Sequence, residues 1–312
     1  MKKGTLTVRI GLDDTDHPDF GCTTYSFDGL MSSLNEMRGL KIIERRLVRL
    51  WPYASRRTRG NGALSAVIEI PSNSKENLLV NCKSWFDGLL SEIADYPVAE
   101  NNPSPALLVS FDATPSDWYW EAVRGEVNLD KRVKQVIDSD IFMLSHEDRW
   151  GVIGASAAIS WVPKGNHSWE LIGWREDEKI GTERRISKKS ILEMSSLFTD
   201  TFMNRDPTFD KGIISPRTPC PVLYGIRGAT KSAVESAHSW IQGVEGNERC
   251  FKWASHITNQ LSDDHLQGTC CGTVISKPEV KKGAHAIVKV ISDHKGELSL
   301  IHISEPTRRL VI

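Results

Sequence analysis

Nowhere does the 312-residue sequence hold an apolar run approaching the roughly 20 residues a bilayer-spanning helix needs, so no segment reads as a membrane span. The first residues, MKKGTLTVRIGLDD, enter a strand-like alternation at once, with no apolar core or small-residue cleavage site, and a cytoplasmic address is expected. Cysteine is sparse and unpaired in spacing: Cys22, Cys82, Cys220, Cys250, Cys270 and Cys271 make no CxxC pair. That excludes the spelling of a zinc ribbon or a disulfide framework and leaves reduced thiols. Charge of one sign is lacking too. The formal net charge of -1 gives no overall pull toward nucleic acid, although between Arg38 and Arg59 Glu44 is the sole acid among many cations. Internal repeats and low-complexity stretches are absent. A 39% hydrophobic, 25% charged chain is nonetheless a globular one, long enough for two domains and the beginning of a third.

The apolar patterning predicts an α+β protein. Thr5 to Leu12 alternates as a half-buried strand and runs directly into Asp13, Asp14 and Asp16. A helix is expected over Tyr25 to Arg38, strands over Lys41 to Leu50 and Ala63 to Ile70, a helix over Ser74 to Ala94 capped by Ser74, and a short buried strand over Ala106 to Phe111. The polar stretch from Asn128 to Glu147 is the expected first domain boundary. Beyond it come the small-residue run GVIGASAAI, a strand over Ser168 to Trp174, a helix near Ser187 to Thr201, a strand over Pro221 to Ile226 and a helix near Lys231 to Gln242, which together suggest a small α+β sandwich. After Trp253, the segments GTCCGTVIS, HAIVKVIS and ELSLIHIS read as short strands at the start of a small β-barrel, too few to close it.

Three segments of the first domain could carry chemistry. Asp13, Asp14 and Asp16 are hard oxygen ligands delivered by a strand end, the pattern that holds Mg2+ against nucleotide phosphates, and carboxylates this close repel one another unless a cation is present. Solvated or helix-capping aspartates are the plain alternative at nearly even odds. The segment GCTTY places Gly21, Cys22, Thr23 and Thr24 at a helix start, where amides and hydroxyls suit an anion, though an ordinary cap is the commoner meaning. Cys22 reads as a packing residue. SRRTRGNGA sets Arg56, Arg57 and Arg59 beside Gly60, Asn61 and Gly62, a cationic loop able to clamp phosphates. Alone it would be a solvated turn. Together the three make metal, cradle and charge clamp of a phosphoryl-transfer site. Downstream, Arg227 after a strand, His265 beside Asp263 and Asp264, and Trp118, Trp120, Trp161, Trp169 and Trp174 have plain readings as strand end, surface loop and core.

In order, GLDDTD, GCTTY, RLVRLWP, TRGNGA, GVIGASAAI, PVLYGIRG and TNQLSDDHLQ resemble the archaeal tRNA(Ile) 2-agmatinylcytidine synthetase family over about residues 8 to 268. The resemblance implies a kinase-like ATP-using domain over 1–145, a ferredoxin-like domain over 146–255 and a partial OB-fold over 256–312, with the family's zinc ribbon missing. It implies replacement of O2 of the wobble cytidine of the AUA-reading isoleucine tRNA by agmatine, through a phosphorylated cytidine, with ATP going to AMP. By the same resemblance Thr23 is the autophosphorylated threonine and Asp13, Asp14 and Asp16 handle Mg2+ and nucleotide. Arg57 and Arg59 stand near the phosphates, with Gly21, Thr24, Gly60, Asn61 and Gly62 in nucleotide binding. Trp51 and Arg56 stand where the family has asparagine and lysine. ATP, Mg2+, tRNA(Ile) and agmatine are the expected ligands, and no membrane or protein partner is implied.

Two other functions fit parts of the pattern. Asp14 and Asp16 make the DxD of an aspartate-nucleophile phosphotransferase, but Pro18 stands where that chemistry wants Thr or Val, and the arginine-glycine loop would go unused. A non-catalytic RNA-binding fragment would account for the tryptophans and the unfinished barrel, but not for the acidic cluster and Thr23. Nucleotide binding with Mg2+ separates these from the enzyme.

Overall fold

The computed structural model describes residues 4–57, 60–165, 167–206, 211–260, 272–280, 285–292 and 296–303. Arg59, Asp263, Asp264, His265, Cys270, Cys271 and nearly all of the terminal ISEPTRRLVI lie outside the described residues. The chain divides into two compact units at His265/Leu266.

In the first unit the elements run β1 (Thr5–Asp13), α1 (Thr23–Asn35), β2 (Lys41–Arg49), β3 (Gly62–Pro71), α2 (Lys75–Ala94), β4 (Ala106–Ser110), α3 (Asp117–Arg124), α4 (Leu129–Ile137), β5 (Phe142–Ser145) and α5 (Gly151–Ser160). They continue with β6 (Ser168–Trp174), α6 (Lys188–Leu197), the two-residue strands β7 (Arg205–Asp206) and β8 (Lys211–Gly212), β9 (Val222–Gly228), α7 (Lys231–Gly243) and β10 (Lys252–Thr258). Eight strands form one mixed sheet in the order β5-β4-β1-β3-β2-β10-β6-β9. Every pairing is antiparallel except β10 on β2, which has two registered pairs, Ile257 with Arg46 and Thr258 with Leu47. The side-chain amide of Asn259 lengthens this seam as a strand residue would: it accepts from Arg49 N at 2.7 Å and donates to Arg49 O at 2.9 Å.

Alternation along the strands sends side chains to two covered faces. Val8, Ile10, Leu12, Leu107 and Val109 meet α1 and α2 through Phe27, Leu30, Leu34, Leu78 and Phe86. Ala106 and Leu108 point the other way, into a cluster with Trp118, Val133, Val136, Val152, Ala155 and Ile159 from α3, α4 and α5. Coverage on both sides is why ALLVS is buried throughout, without polar alternation. A third packing zone sets α6 and α7 on β6 and β9 through Leu171, Leu223, Ile226, Met194, Val234 and Ile241.

The structure adds to the sequence reading at several places. The stretch from Asn128 to Glu147, where the first domain boundary is expected, holds α4, capped by the Asn128 side chain on Lys131 N, and β5, an edge strand of the main sheet. The other charges of α4 sit on its solvent side, while Arg132 is buried and donates to Ser156 Oγ at 2.9 Å and to Glu121. Ser74 is the residue before α2, but its side chain caps nothing. The run GVIGASAAI, given no secondary structure from sequence, is α5, buried nearly all round and packed on strands of the first segment; its small side chains let its backbone lie so close that a Cβ at Gly11 would stand 2.6 Å from Ala155 O. β10 also runs across the expected 255/256 division.

The second unit shows β11 (Gly272–Val274), β12 (Glu279–Val280), β13 (His285–Ser292) and β14 (Gly296–Ile303); β11, β12 and β14 all pair antiparallel with β13. Among the described residues no helix is long and apolar enough to cross a membrane.

Two buried histidines make stability depend on pH. Burial lowers His238 and His256 from 6.5 to about 4, and neither ring nitrogen of His256 has a hydrogen-bond partner. Between these values the unfolded chain binds protons that the native state refuses, so stability rises with pH and is lost as pH falls from about 6.5 through about 4. Each histidine contributes at most about 3 kcal/mol across the window. Urea melts at pH 7 and pH 5 are expected to differ less for His256→Gln than for the parent; equal pH sensitivity would refute the assignment.

Candidate active site

The acidic cluster begins where β1 leaves the sheet. Asp13 is the last residue of β1, and α5 is pressed against it: a Cβ at Gly154 would fall 1.8 Å from Asp13 Oδ2, and one at Gly151 would fall 2.7 Å from Asp13 O. Ser104 holds the turn by donating its N–H to Asp14 O at 3.1 Å and accepting from Gly151 N at 2.9 Å. Asp14 adopts the left-handed conformation, with φ of 59°. Burial, then the neighbouring Asp14, pushes the Asp13 carboxyl well above the usual carboxylate range. Asp14 is raised to about 7, chiefly by burial, with Arg56 pulling it down and Asp16 pushing it up.

Asp16 is committed elsewhere. Its Oδ1 accepts from Thr23 N at 2.5 Å and from Thr23 Oγ1 at 2.6 Å. The helix therefore begins at Thr23, two residues before the position expected from sequence. Its first amide is capped by a carboxylate seven residues upstream, while Cys22 in the N-cap position makes no side-chain cap. Thr23 is 5% exposed and also receives Thr15 N at 3.4 Å. Gly21, at φ of 62°, turns the chain between Thr15 O and the Tyr96 hydroxyl, where a Cβ would meet them at 3.1 and 3.2 Å. Its place is in shaping the turn. Thr24 Oγ1 accepts from Trp174 Nε1 at 3.2 Å, so a fully buried tryptophan of β6 fixes the second threonine.

The arginine-glycine loop closes the other side. Arg56 Nη2 stands 3.6 Å from Asp14 Oδ2 and its guanidinium lies 5.4 Å from the Trp150 ring centroid, so arginine's planar charge is used twice. Arg57 Nη1 donates to Pro52 O, and Asn61 Nδ2 donates to Trp51 O at 2.8 Å. One cleft is lined by Asp13, Asp14, Asp16, Thr23, Arg57, Gly60, Asn61 and Gly62, together with Trp51, Arg56 and Trp150. Gly21 and Thr24 do not line it; Thr24 lines a second cleft that shares Asp16, Thr23, Gly60 and Gly62 with the first.

Among the described residues no three carboxylate, histidine or cysteine side chains gather as a metal-holding set. Asp13 and Asp14 still fit a cation that takes most of its ligands from phosphate and water: both carboxyls are driven toward protonation, and Asp14 Oδ2 is buried without a hydrogen-bond donor. Asp16 Oδ1 is engaged by Thr23.

Sequence reading missed Arg49 and Glu170, and passed over Arg227 as a strand end. These residues line the second cleft, where Arg49 Nη2 donates to both Glu170 oxygens at 2.8 Å. Only the sheet order brings them together. A charged residue at the centre of SWELIGW, an otherwise apolar strand, was the available signal.

Comparison with known proteins bears on the whole chain. A TiaS TCKD domain model matches residues 9–147 and a TiaS FLD domain model matches 149–265. The isoleucine-tRNA 2-agmatinylcytidine synthetase TiaS of Methanocaldococcus jannaschii is 30% identical, over 96% of this chain and 72% of that protein. The chain belongs to the TiaS family. TiaS of Pyrococcus horikoshii is 31% identical over 97% of this chain and 72% of its own length. The solved complex of TiaS with its isoleucine tRNA and ATP superposes with a TM-score of 0.73 at 26% identity, covering 96% of this chain and 72% of that one. The complex of TiaS with the same tRNA, AMPCPP and agmatine gives 0.69 at 25% identity, covering 95% and 73%. The mixed α+β fold of this chain, with its large mixed sheet, matches these TiaS structures.

Proposed function

We propose that this chain joins agmatine to C2 of the wobble cytidine of the AUA-reading isoleucine tRNA, driven by cleavage of ATP to AMP. Membership of the TiaS family supports the reading, and one observation carries it. Thr23 Oγ1 lies 2.6 Å from a carboxylate oxygen of Asp16 at the mouth common to two clefts. A hydroxyl so placed can attack phosphorus as Asp16 takes its proton, while the amide that Asp16 also holds keeps the threonine aimed.

The first cleft takes the nucleotide. Arg56 and Arg57 supply positive charge at the phosphates, and Trp150 and Trp51 offer aromatic faces at the wall. Mg2+ arriving with the nucleotide would be held by Asp13 and Asp14 and would neutralise phosphate charge there. The cytidine is then activated through its O2: that oxygen takes a phosphoryl group that comes from ATP, as the phosphorus–oxygen bond holding that group breaks and its electron pair stays with the donor, and attack by agmatine's primary amine then forms the C2–N bond. The C2–O2 bond breaks, its electron pair leaves with phosphate, and the nitrogen sheds a proton. A cytidine presented in a single-stranded loop exposes this edge without duplex opening.

In the same reading, residues 9–147 form the kinase-like unit and 149–265 a ferredoxin-like unit, supported by α6 and α7 lying on β10, β6 and β9. The short antiparallel strands β11 to β14 are the start of an OB-fold. A cytoplasmic address suits an enzyme of tRNA.

Incubation of an isoleucine tRNA transcript with the protein, ATP, Mg2+ and agmatine, followed by nucleoside mass spectrometry and an AMP assay, tests the proposal. Agmatinylated cytidine with matching AMP is expected. Neither product from folded protein would overturn it.

A further inference from the structure

The second cleft, about 390 Å³, shares Asp16 and Thr23 with the first but is lined by neither Asp13 nor Asp14. Its floor is an ionic triplet. Arg49, ending β2, grips Glu170 of β6 through Nη2 at 2.8 Å to each oxygen, and Arg227, paired across β9 with Glu170, brings its own Nη2 to 3.5 Å. Glu170 is 6% exposed, and a Cβ at Gly225 would sit 3.0 Å from its Oε1, so the carboxylate is seated tightly. Arg49 and Arg227 pull it down to about 2 against the opposing effect of burial, and it stays anionic at every working pH.

The triplet is not neutral. Two guanidiniums share one carboxylate, Arg217 adds a third on the exposed rim, and Asp16, the other acid of the lining, is engaged by Thr23. Arg49 Nε and Arg227 Nε are buried with no acceptor, and Ser215 Oγ in the same lining is buried without a partner. Five donors on a planar fork are more than one carboxylate satisfies, and buried donors left unmade are costly. Around this floor stand Ile172, Met203, Ile213 and Ile214, an apolar wall for a sugar or base.

Building on the proposed function, we infer that this cleft is an oxyanion subsite in which Arg49, Arg227 and Arg217 bind a phosphodiester of single-stranded RNA beside the target nucleotide. Glu170 is the positioning residue that locks the first two guanidiniums in register. The phosphate chemistry could equally be met by the polyphosphate of ATP, but Arg56 and Arg57 already serve the first cleft, and Thr23 between the two clefts would then face nucleotide on one side and RNA on the other.

The test measures binding of an isoleucine tRNA transcript across a series of salt concentrations, with ATP binding in parallel, for the parent, Arg227→Gln, Arg227→Lys and Arg217→Ala. Each charge-removing variant is expected to weaken RNA about tenfold and to flatten the log–log salt slope by about one, with ATP affinity kept within about twofold. Arg227→Lys should restore the slope. Should Arg227→Gln fail to fold because Glu170 loses a partner, the exposed Arg217→Ala decides alone. Unchanged RNA affinity and slope overturn the subsite. Weakened ATP with unchanged RNA overturns the RNA assignment and gives the cleft to the nucleotide. A parent protein that binds no tRNA overturns the proposed function as well, which separates the two failures.

Discussion

A Thr23→Ala protein is expected to fold, to bind nucleotide and to take up no phosphoryl label from ATP, with agmatine transfer reduced on the order of 10³-fold or more. Alanine keeps the backbone amide that Asp16 caps, so α1 should begin where it does now. Thr24→Ala should retain the label, because that hydroxyl is tied to Trp174 and lies in the other cleft. Asp16→Asn sharpens the contrast: its carbonyl oxygen can still accept from the Thr23 amide, but it cannot take the hydroxyl proton, and transfer should drop roughly 10²- to 10⁴-fold with little change in melting temperature. Phosphopeptide mapping after incubation with labelled ATP reads all three. Label persisting in Thr23→Ala would remove that residue from the chemistry.

Gly154→Ala should destabilise the protein and stop its chemistry, against the helix-propensity rule that favours alanine by about 1 kcal/mol. The new Cβ would stand 1.8 Å from Asp13 Oδ2 and 2.9 Å from Leu50 Cδ1, so either the carboxylate or the helix must shift. Overpacking of this kind costs about 1–3 kcal/mol, and displacing Asp13 should lower transfer about 100-fold or more. Gly88→Ala on α2 is the matched control. Nothing lies within 4 Å of its would-be Cβ, and it should stabilise by about 0.5–1 kcal/mol. Thermal melts of both proteins with an AMP assay give opposite signs if the contact at Asp13 governs. Two gains in stability with full activity would mean that α5 has room to move.

Much of the first half was legible because its signals are local. The alternation of TLTVRIGL, the glycines bounding RGNG and the apolar periodicity of α2 each reach no further than one element, and the strands and helix they announce are within one or two residues of the expected positions. The site residues were legible for the same reason. Asp13, Asp14, Asp16, Thr23 and the loop at Gly60 to Gly62 fall in three short motifs, and the ends of neighbouring strands bring them into one cleft. Long-range order was hidden. Nothing in GVIGASAAI announces that its small residues face Gly11, and α4 stayed hidden in a polar stretch because Arg132 looks solvent-bound until Ser156 and Glu121 are placed around it. Arg49, Glu170 and Arg227 are more than fifty residues apart at each step, and only the order β2-β10-β6-β9 makes them neighbours. The partner of Asp16 was hidden by distance as well: grouped by sequence with Asp13 and Asp14, it accepts through Oδ1 from Thr23.

The antiparallel–parallel joint at β2 and β10 bears on what the two family-matched regions are as pieces of protein. Residues 9–147 and 149–265 look like portable modules when laid out along the chain, but neither owns a finished boundary. Cutting between them would strip α5 from the strands it covers and bare the ladders of β2 and β10, the raw edges on which chains stick to one another. The Asn259 amide, which completes Arg49's backbone pairing from across the seam, would be orphaned with them. Recombination that shuffled one region without the other would yield an insoluble product before it yielded a new specificity. The two regions are therefore expected to fold as one piece, since both lie within one compact unit.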